Sequence, residues 1–259
     1  MTEISWLQAF VLALIQGITE FLPVSSSAHL ILLSWLTGWP DQGAMVDIAA
    51  HFGTLLAVIW FFRRDVCALL TPQKRSQAVA LLAASVPLGL MGLLLHKQVE
   101  NQLRSVFVIA MGSIVFGGLL WLAEKWHQPR ERQLTARHLL MMGLWQVLAL
   151  IPGASRSGVT LTGGLFMGLE KKAAAKGAFL LAIPALMMVA GYGGWKILQQ
   201  PMAFNVPLLG MVMAVSFLVA LLTIDWFMRF LEKTPLSVFA IYRIILGVGL
   251  LGLWVYKGA

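Results

Sequence analysis

Pro152-Gly153-Ala154-Ser155-Arg156-Ser157-Gly158 interrupts an apolar run over residues 139–169, and this interruption decides the kind of fold the chain adopts. Proline removes a backbone donor and stops a helix. Gly153 and Gly158 permit tight turns, and Ser155, Arg156 and Ser157 put polar groups in a segment otherwise suited to lipid. Each half of the run is too short to cross a hydrocarbon core, which takes about 17–25 helical residues. The same design occurs earlier, where Pro23-Val24-Ser25-Ser26-Ser27-Ala28-His29 breaks the apolar run over residues 6–36. Helix, polar break, helix is the pattern of a re-entrant segment. Such backbone survives at membrane depth only where protein or a wet cavity covers it.

The rest of the chain is built for the same solvent. Hydrophobic residues make up 59% of the 259 and charged residues 12%, against about 25% charged in a soluble domain. Mean hydropathy is +0.82. Six further stretches are long enough to span: residues 45–62, 76–96, 104–123, 176–195, 204–224 and 236–256. The expected fold is therefore an all-α integral membrane protein with six full transmembrane helices and two re-entrant helix-loop-helix segments. The net charge of +8 does not indicate nucleic acid, because the basic residues sit in short gaps rather than on one solvated face. Cys67 is the single cysteine, so no intrachain disulfide forms. The N-terminus lacks a basic n-region and cleavage site, and residues 6–22 are expected to stay in the mature chain.

Charge in the gaps orients the spans. Arg63, Arg64, Lys74 and Arg75 mark a cytoplasmic gap under the positive-inside rule. Counting onward, the gap with His96, Lys97 and Glu100 falls outside, and those with Lys125, Arg130, Arg132 and Arg137, and with Lys171, Lys172 and Lys176, return inside. Residues 196–203 then fall outside, and Arg229 and Lys233 inside. Both termini are expected outside, and the two broken segments enter from opposite faces. Gln16 and Gln146, Ser25 and Ser155, and Ser27 and Ser157 are each 130 residues apart. With an odd number of spans between the copies, the second is inverted. The expected organisation is one membrane domain with a first repeat of about 1–123 and a second of about 137–259. Inverted repeats with broken helices form midplane sites in many transporters.

The breaks also carry the chemistry. A helix returning from Ser155-Arg156-Ser157 offers unpaired N–H groups and a favourable dipole to an anion such as phosphate. Arg grips phosphate oxygens with a planar fork, and an intramembrane Arg is costly enough to imply a role. Pairing of Arg156 with Glu20 for structure alone is the blander reading. Gln16 and Glu20, four apart, share a helical face. A carboxylate at this depth needs a partner, with Arg156, His29 or a bound cation as the candidates. Ser26 by itself carries no signal, since Ser in membrane helices usually bonds back to the backbone. Asp47 and His51 share a face that lines a cavity or meets water at the interface, and Arg243 either supports the site or contacts headgroups.

The segment Gln16-Gly17-Ile18-Thr19-Glu20-Phe21-Leu22-Pro23-Val24-Ser25-Ser26-Ser27-Ala28-His29 resembles the E/Q-xxx-E motif and Ser-rich loop of the undecaprenyl-diphosphate phosphatases, the bacitracin-resistance proteins. Residues 152–158 resemble their PGxSRSG signature, and the likeness extends over the whole chain, including Tyr242-Arg243. The resemblance implies hydrolysis of undecaprenyl diphosphate to the monophosphate, which recycles the carrier lipid of cell-wall synthesis. It also implies a divalent cation (Mg2+ or Ca2+) and a multi-pass protein of the bacterial inner membrane with its site facing the periplasm. By position, Glu20 and Gln16 match the acidic motif, with Glu20 the expected metal ligand. Ser26 and His29 match the nucleophile or acid/base, and Arg156 the phosphate clamp. Gln16, Ser25, Ser27, Gly153, Ser155 and Ser157 are expected to contact the substrate. Gln16 stands where many relatives have Glu, which shifts any cation toward Glu20, and Ala28 stands where many have Gly. The expected partners are an isoprenoid diphosphate lipid and the membrane, with no nucleic acid; a homodimer is left open. A transporter or flippase using the same cavity is the main alternative, and a purely structural subunit leaves Glu20, His29 and Arg156 unexplained.

Overall fold

Ser5 and Thr135 begin the two broken segments in the same way. In the computed structural model, which describes residues 4–39, 43–98, 105–130, 133–199 and 205–257, each caps a helix by accepting from the backbone N–H three residues on, and the side chain of that residue bonds back. Ser5 pairs with Gln8 and Thr135 with His138, again 130 residues apart (135 − 5 and 138 − 8). Such reciprocal capping satisfies two of the donors that a helix start leaves free.

The helices are α1 (Trp6–Thr19), α2 (Ser26–Thr37), α3 (Gly43–Phe61), α4 (Arg63–Leu69), α5 (Arg75–Gln98) and α6 (Val106–Lys125), then α7 (Ala136–Gln146), α8 (Arg156–Phe166), α9 (Lys171–Gln199), α10 (Val206–Phe230) and α11 (Ser237–Lys257). Five of them are long and apolar enough to cross a membrane. Met45–Phe61 makes a sixth when counted with Arg63–Leu69, from which it is bent by 77°. These are the six predicted spans. The bend falls where the sequence turns from apolar to Arg63-Arg64-Asp65, so α4 turns aside rather than lengthening the span. The broken segments are α1 with α2 and α7 with α8, and their starts match at the repeat spacing (136 − 6 and 156 − 26, both 130). Of the residues used for orientation, Glu100, Arg132, residues 200–203 and both chain ends lie outside the described residues.

Lipid tails are as apolar as leucine, so packing between spans rests on close contact rather than on burial from water. Glycine supplies it. A side chain at Gly53 of α3 would collide with Met213 O of α10, so these backbones touch. Polar contacts tie one end of the bundle. Lys176 pairs with Asp65 at 2.5 Å, Lys171 with Glu124 at 2.6 Å, and Lys172 with Glu232. Glu124 also accepts from the backbone of Leu236 and Ser237, capping α11. The Lys/Arg-rich gaps thus gather at the end where α3, α6 and α10 stop and α5, α9 and α11 begin. The start of α7 lies here, with Gln77 donating to Leu134 O at 2.7 Å. The start of α1 lies at the other end, where Ile4 packs with Val46, Leu208 and Val212. The two broken segments therefore enter from opposite ends, as the gap charges predicted.

Candidate active site

Where the breaks meet, the chain leaves ordinary backbone geometry. Ser25 has φ 71° and Ser155 φ 67°, the two positive-φ residues other than glycine among the described residues. Each sits immediately before a helix, so the N-termini of α2 and α8 converge. Ser25 and Ser27 hydroxyls lie 3.2 Å apart, as do those of Ser155 and Ser157. Ser157 also donates to Leu22 O at 2.8 Å, joining one break to the other. The termini differ in one respect. Ser155 Oγ accepts from Gly158 N at 3.2 Å, whereas α2 has no side-chain cap and leaves its first-turn donors free for an anion.

Glu20 is the centre of the polar cluster. It ends α1, buried at 8% exposure. Its Oε1 accepts from Arg156 Nη2 at 2.6 Å. Its Oε2 accepts from Gln16 Nε2 at 2.7 Å and from Ser26 Oγ at 3.1 Å. His51 Nε2 lies 3.9 Å away, its ring held by Nδ1 on Asp47 O at 2.8 Å. Removing one partner of a buried pair leaves an uncompensated charge, at a cost of about 3–5 kcal/mol. Arg156 Nη1 donates to Ala182 O at 3.0 Å, in the turn of α9 disturbed by Pro184. A guanidinium has five N–H donors, so Arg156 keeps others for a ligand. Glu20, Ser25, Ser26, Ser27, Ser155 and Arg156 line a cavity of about 250 Å³ with His51 and apolar side chains of α5, α9 and the 147–151 turn.

The family model described as bacitracin resistance protein BacA matches residues 9–249 of this chain. The chain belongs to the BacA family. Similar curated proteins include the undecaprenyl-diphosphatase of Saccharophagus degradans, 45% identical over 95% of this chain and 97% of that protein. Undecaprenyl-diphosphatase 2 of Stutzerimonas stutzeri is 43% identical over 96% and 98%. The undecaprenyl-diphosphatase of Alcanivorax borkumensis is 42% identical over 95% and 98%.

In this BacA-family chain most of the expected residues gather at one cavity: Glu20, Ser25, Ser26, Ser27, Ser155 and Arg156 line it, Gln16 bonds Glu20, and Ser157 turns to Leu22 O. Gly153 serves the backbone instead. It has φ 87°, and a side chain there would collide with Ile109 O. His29 does not join the cluster. Its Nδ1 bonds Ser25 O at 2.8 Å and its Nε2 bonds Tyr242 Oη at 2.6 Å, with the two rings stacked. It faces a separate apolar groove lined by Ile15, Ile18, Leu22, Val238 and Phe239. Ser26 and His29, matched by the resemblance to the nucleophile or acid/base, share no hydrogen bond among the described residues: both ring nitrogens are engaged elsewhere and Ser26 turns to Glu20. The imidazole that reaches the cavity is that of His51. Its shared face with Asp47 was the available signal.

Arg243 was the least legible residue. It is fully buried, donating to Gly153 O at 2.8 Å, Ala154 O at 2.7 Å and Pro23 O at 3.5 Å, so one guanidinium clasps both breaks. It does not contact headgroups. A charge in the last span that faces the interior is what intramembrane energetics favours.

The donor set bears on the divalent cation that the resemblance implies. No cluster of three or more His, Cys, Asp or Glu exists among the described residues, so the protein alone does not form a cage. A cation shared with substrate would fit this set: Glu20 would supply one carboxylate, and Gln16, whose Nε2 donates to Glu20, has its buried Oε1 without a partner. Mg2+ is commonly held by one or two carboxylates plus substrate phosphates.

Proposed function

We propose that this protein hydrolyses undecaprenyl diphosphate to undecaprenyl phosphate and inorganic phosphate in the bacterial inner membrane. The observation that carries the reading is the Ser26–Glu20–Arg156 chain, in which one carboxylate holds both a hydroxyl and a guanidinium. Ser26 Oγ attacks the terminal phosphorus while its proton passes to Glu20 Oε2. The bond from that phosphorus to the bridging oxygen breaks, and the lipid monophosphate leaves. Water then attacks the phosphoserine, its proton leaving with phosphate, and Glu20 returns its proton to Ser26 Oγ as the ester bond breaks, which restores both residues. Arg156 and the free N–H groups of α2 hold the phosphoryl oxygens, since phosphoryl transfer is mostly positioning and charge stabilisation. Gln16 orients Glu20, Ser25, Ser27 and Ser155 complete the polar wall, and Ser157 ties the second break to the first through Leu22 O. A divalent cation would be held by Glu20, with Gln16 Oε1 behind it, and would neutralise phosphate charge.

The cavity opens on the periplasmic side in this reading. Two features support it: the basic gaps gather at one end of the bundle, and the α3, α5 and α9 residues lining the cavity, His51, Leu88 and Val189, lie in the halves away from that end. The division into repeats of about 1–123 and 137–259 within one membrane domain belongs to the same proposal, supported by matching caps, strained serines and helix starts. Phosphate release by purified protein from undecaprenyl diphosphate, with and without EDTA, tests the activity. No release in either condition would leave lipid transport as the reading of the cavity.

A further inference from the structure

We infer that the seam between the outer halves of α5 and α9 is the lateral portal through which the isoprenoid tail leaves the cavity for the bilayer. This rests on the proposed phosphatase reading and adds where the lipid lies. A diphosphate held by Glu20, Ser26 and Arg156 carries a chain far longer than the cavity of about 250 Å³ holds. The chain must leave between two helices.

The repeat shows where the wall is open. Shifted by one repeat, the α3–α10 pair becomes the α9–α5 pair. The first is closed: Gly53 lets α3 meet the backbone of α10 at Met213, and Ser216 and Phe217 pack beside it. The position matching Gly53 in α9 is Ile183 (53 + 130), whose branched side chain precludes the same approach. Between α5 and α9 the close approach is Gly89 on Met188, a flexible thioether rather than a backbone. The seam opens straight into the polar cluster, because Leu88 of α5 and Ala185, Leu186 and Val189 of α9 line the cavity itself. It is apolar, and it meets lipid: Val86, Leu90, Met187, Met188 and Val189 are exposed.

A second, independent observation concerns compliance. Among the described residues, α5 and α9 are the helices with an internal proline, Pro87 and Pro184, each next to a cavity-lining residue. Proline removes a helical hydrogen bond and bends the helix, so both walls of the seam are weakened at cavity depth. The competing exit, the groove beside His29, is walled from the cavity by the first break. Leu22 and Val24 face the groove while Ser25, Ser26 and Ser27 face the cavity.

Chain-length selectivity tests the portal. Leu88→Trp and Val189→Trp narrow the seam, and Ile18→Trp fills the groove. For each, kcat/KM is measured on undecaprenyl diphosphate and on farnesyl diphosphate. The expected result is a loss on the long substrate at least tenfold greater than on the short one for both seam variants, carried by KM, with no change of ratio in Ile18→Trp. Equal losses on both substrates, or a selective loss in Ile18→Trp, would overturn the portal. Wild-type protein inactive on both would overturn the phosphatase reading itself. Should a tryptophan variant misfold, Val189→Cys in a Cys67→Ser background provides the second measurement. Maleimide labelling there should be slowed by undecaprenyl phosphate and not by inorganic phosphate; equal rates in all conditions reject the portal.

Discussion

Arg156 Nη2 and Glu20 Oε1 lie 2.6 Å apart although the residues are 136 positions apart in the chain. The pair joins two broken segments that enter from opposite ends of the bundle, so the site forms only when both halves have packed. Arg156→Lys keeps the charge but loses the planar fork that reaches Glu20 and Ala182 O together. Turnover should fall about 10³-fold, close to the loss in Arg156→Ala. Phosphate release in detergent is the measurement, and near-complete activity in the Lys variant would mean that a point charge suffices.

Ser26 and its neighbours are chemically alike but bonded differently. Ser26→Ala removes the hydroxyl on Glu20 and should abolish turnover by several orders of magnitude. Ser27→Ala loses the Ser25 contact alone, about 0.5–1.5 kcal/mol or roughly threefold to tenfold. Acid quench should trap a phosphoserine mapping to residue 26. Substantial activity in Ser26→Ala would transfer the attack to water.

His29 sits apart from this chemistry, held by Tyr242. His29→Ala and Tyr242→Phe should therefore resemble each other, each costing tenfold or less in kcat. A double-mutant cycle should give a coupling of about 1 kcal/mol, the worth of one hydrogen bond. A loss in His29→Ala matching that of Ser26→Ala would restore His29 to the reaction.

Arg243→Met leaves Gly153 O and Ala154 O buried without a donor, about 1–3 kcal/mol for each unsatisfied group. The melting temperature should drop by several degrees, and activity should fall with it as the breaks lose register. Arg243→Lys should recover part of both. Unchanged melting in the Met variant would show that the clasp is dispensable.

Sidedness has a native reporter. Cys67 is exposed on α4, beside the basic residues. An impermeant maleimide should leave it unlabelled in intact spheroplasts and label it in inverted vesicles. Labelling in spheroplasts would reverse the assignment and with it the proposed periplasmic opening of the cavity.

The sequence by itself determined the helical class, the six spans, the two breaks and their opposed entry. These follow from local quantities: apolar run length, the position of Pro23 and Pro152, and charge between runs. The repeat was legible for the same reason, since Gln16, Ser25 and Ser27 recur at one spacing. Tertiary structure alone decided the partners. His29 follows Ser26 by three residues, and the resemblance made it a candidate acid/base, yet its ring turns to Tyr242 on α11. His51, 31 residues beyond Glu20 (51 − 20), is the imidazole that reaches the carboxylate. Arg243 is read from sequence as a charge in a span, and only the packing of α11 against both breaks turns it inward. The physical reason is rotation. A helix fixes which residues share a face, but which face meets the cavity is set by the neighbours it packs against, and those contacts belong to no single segment.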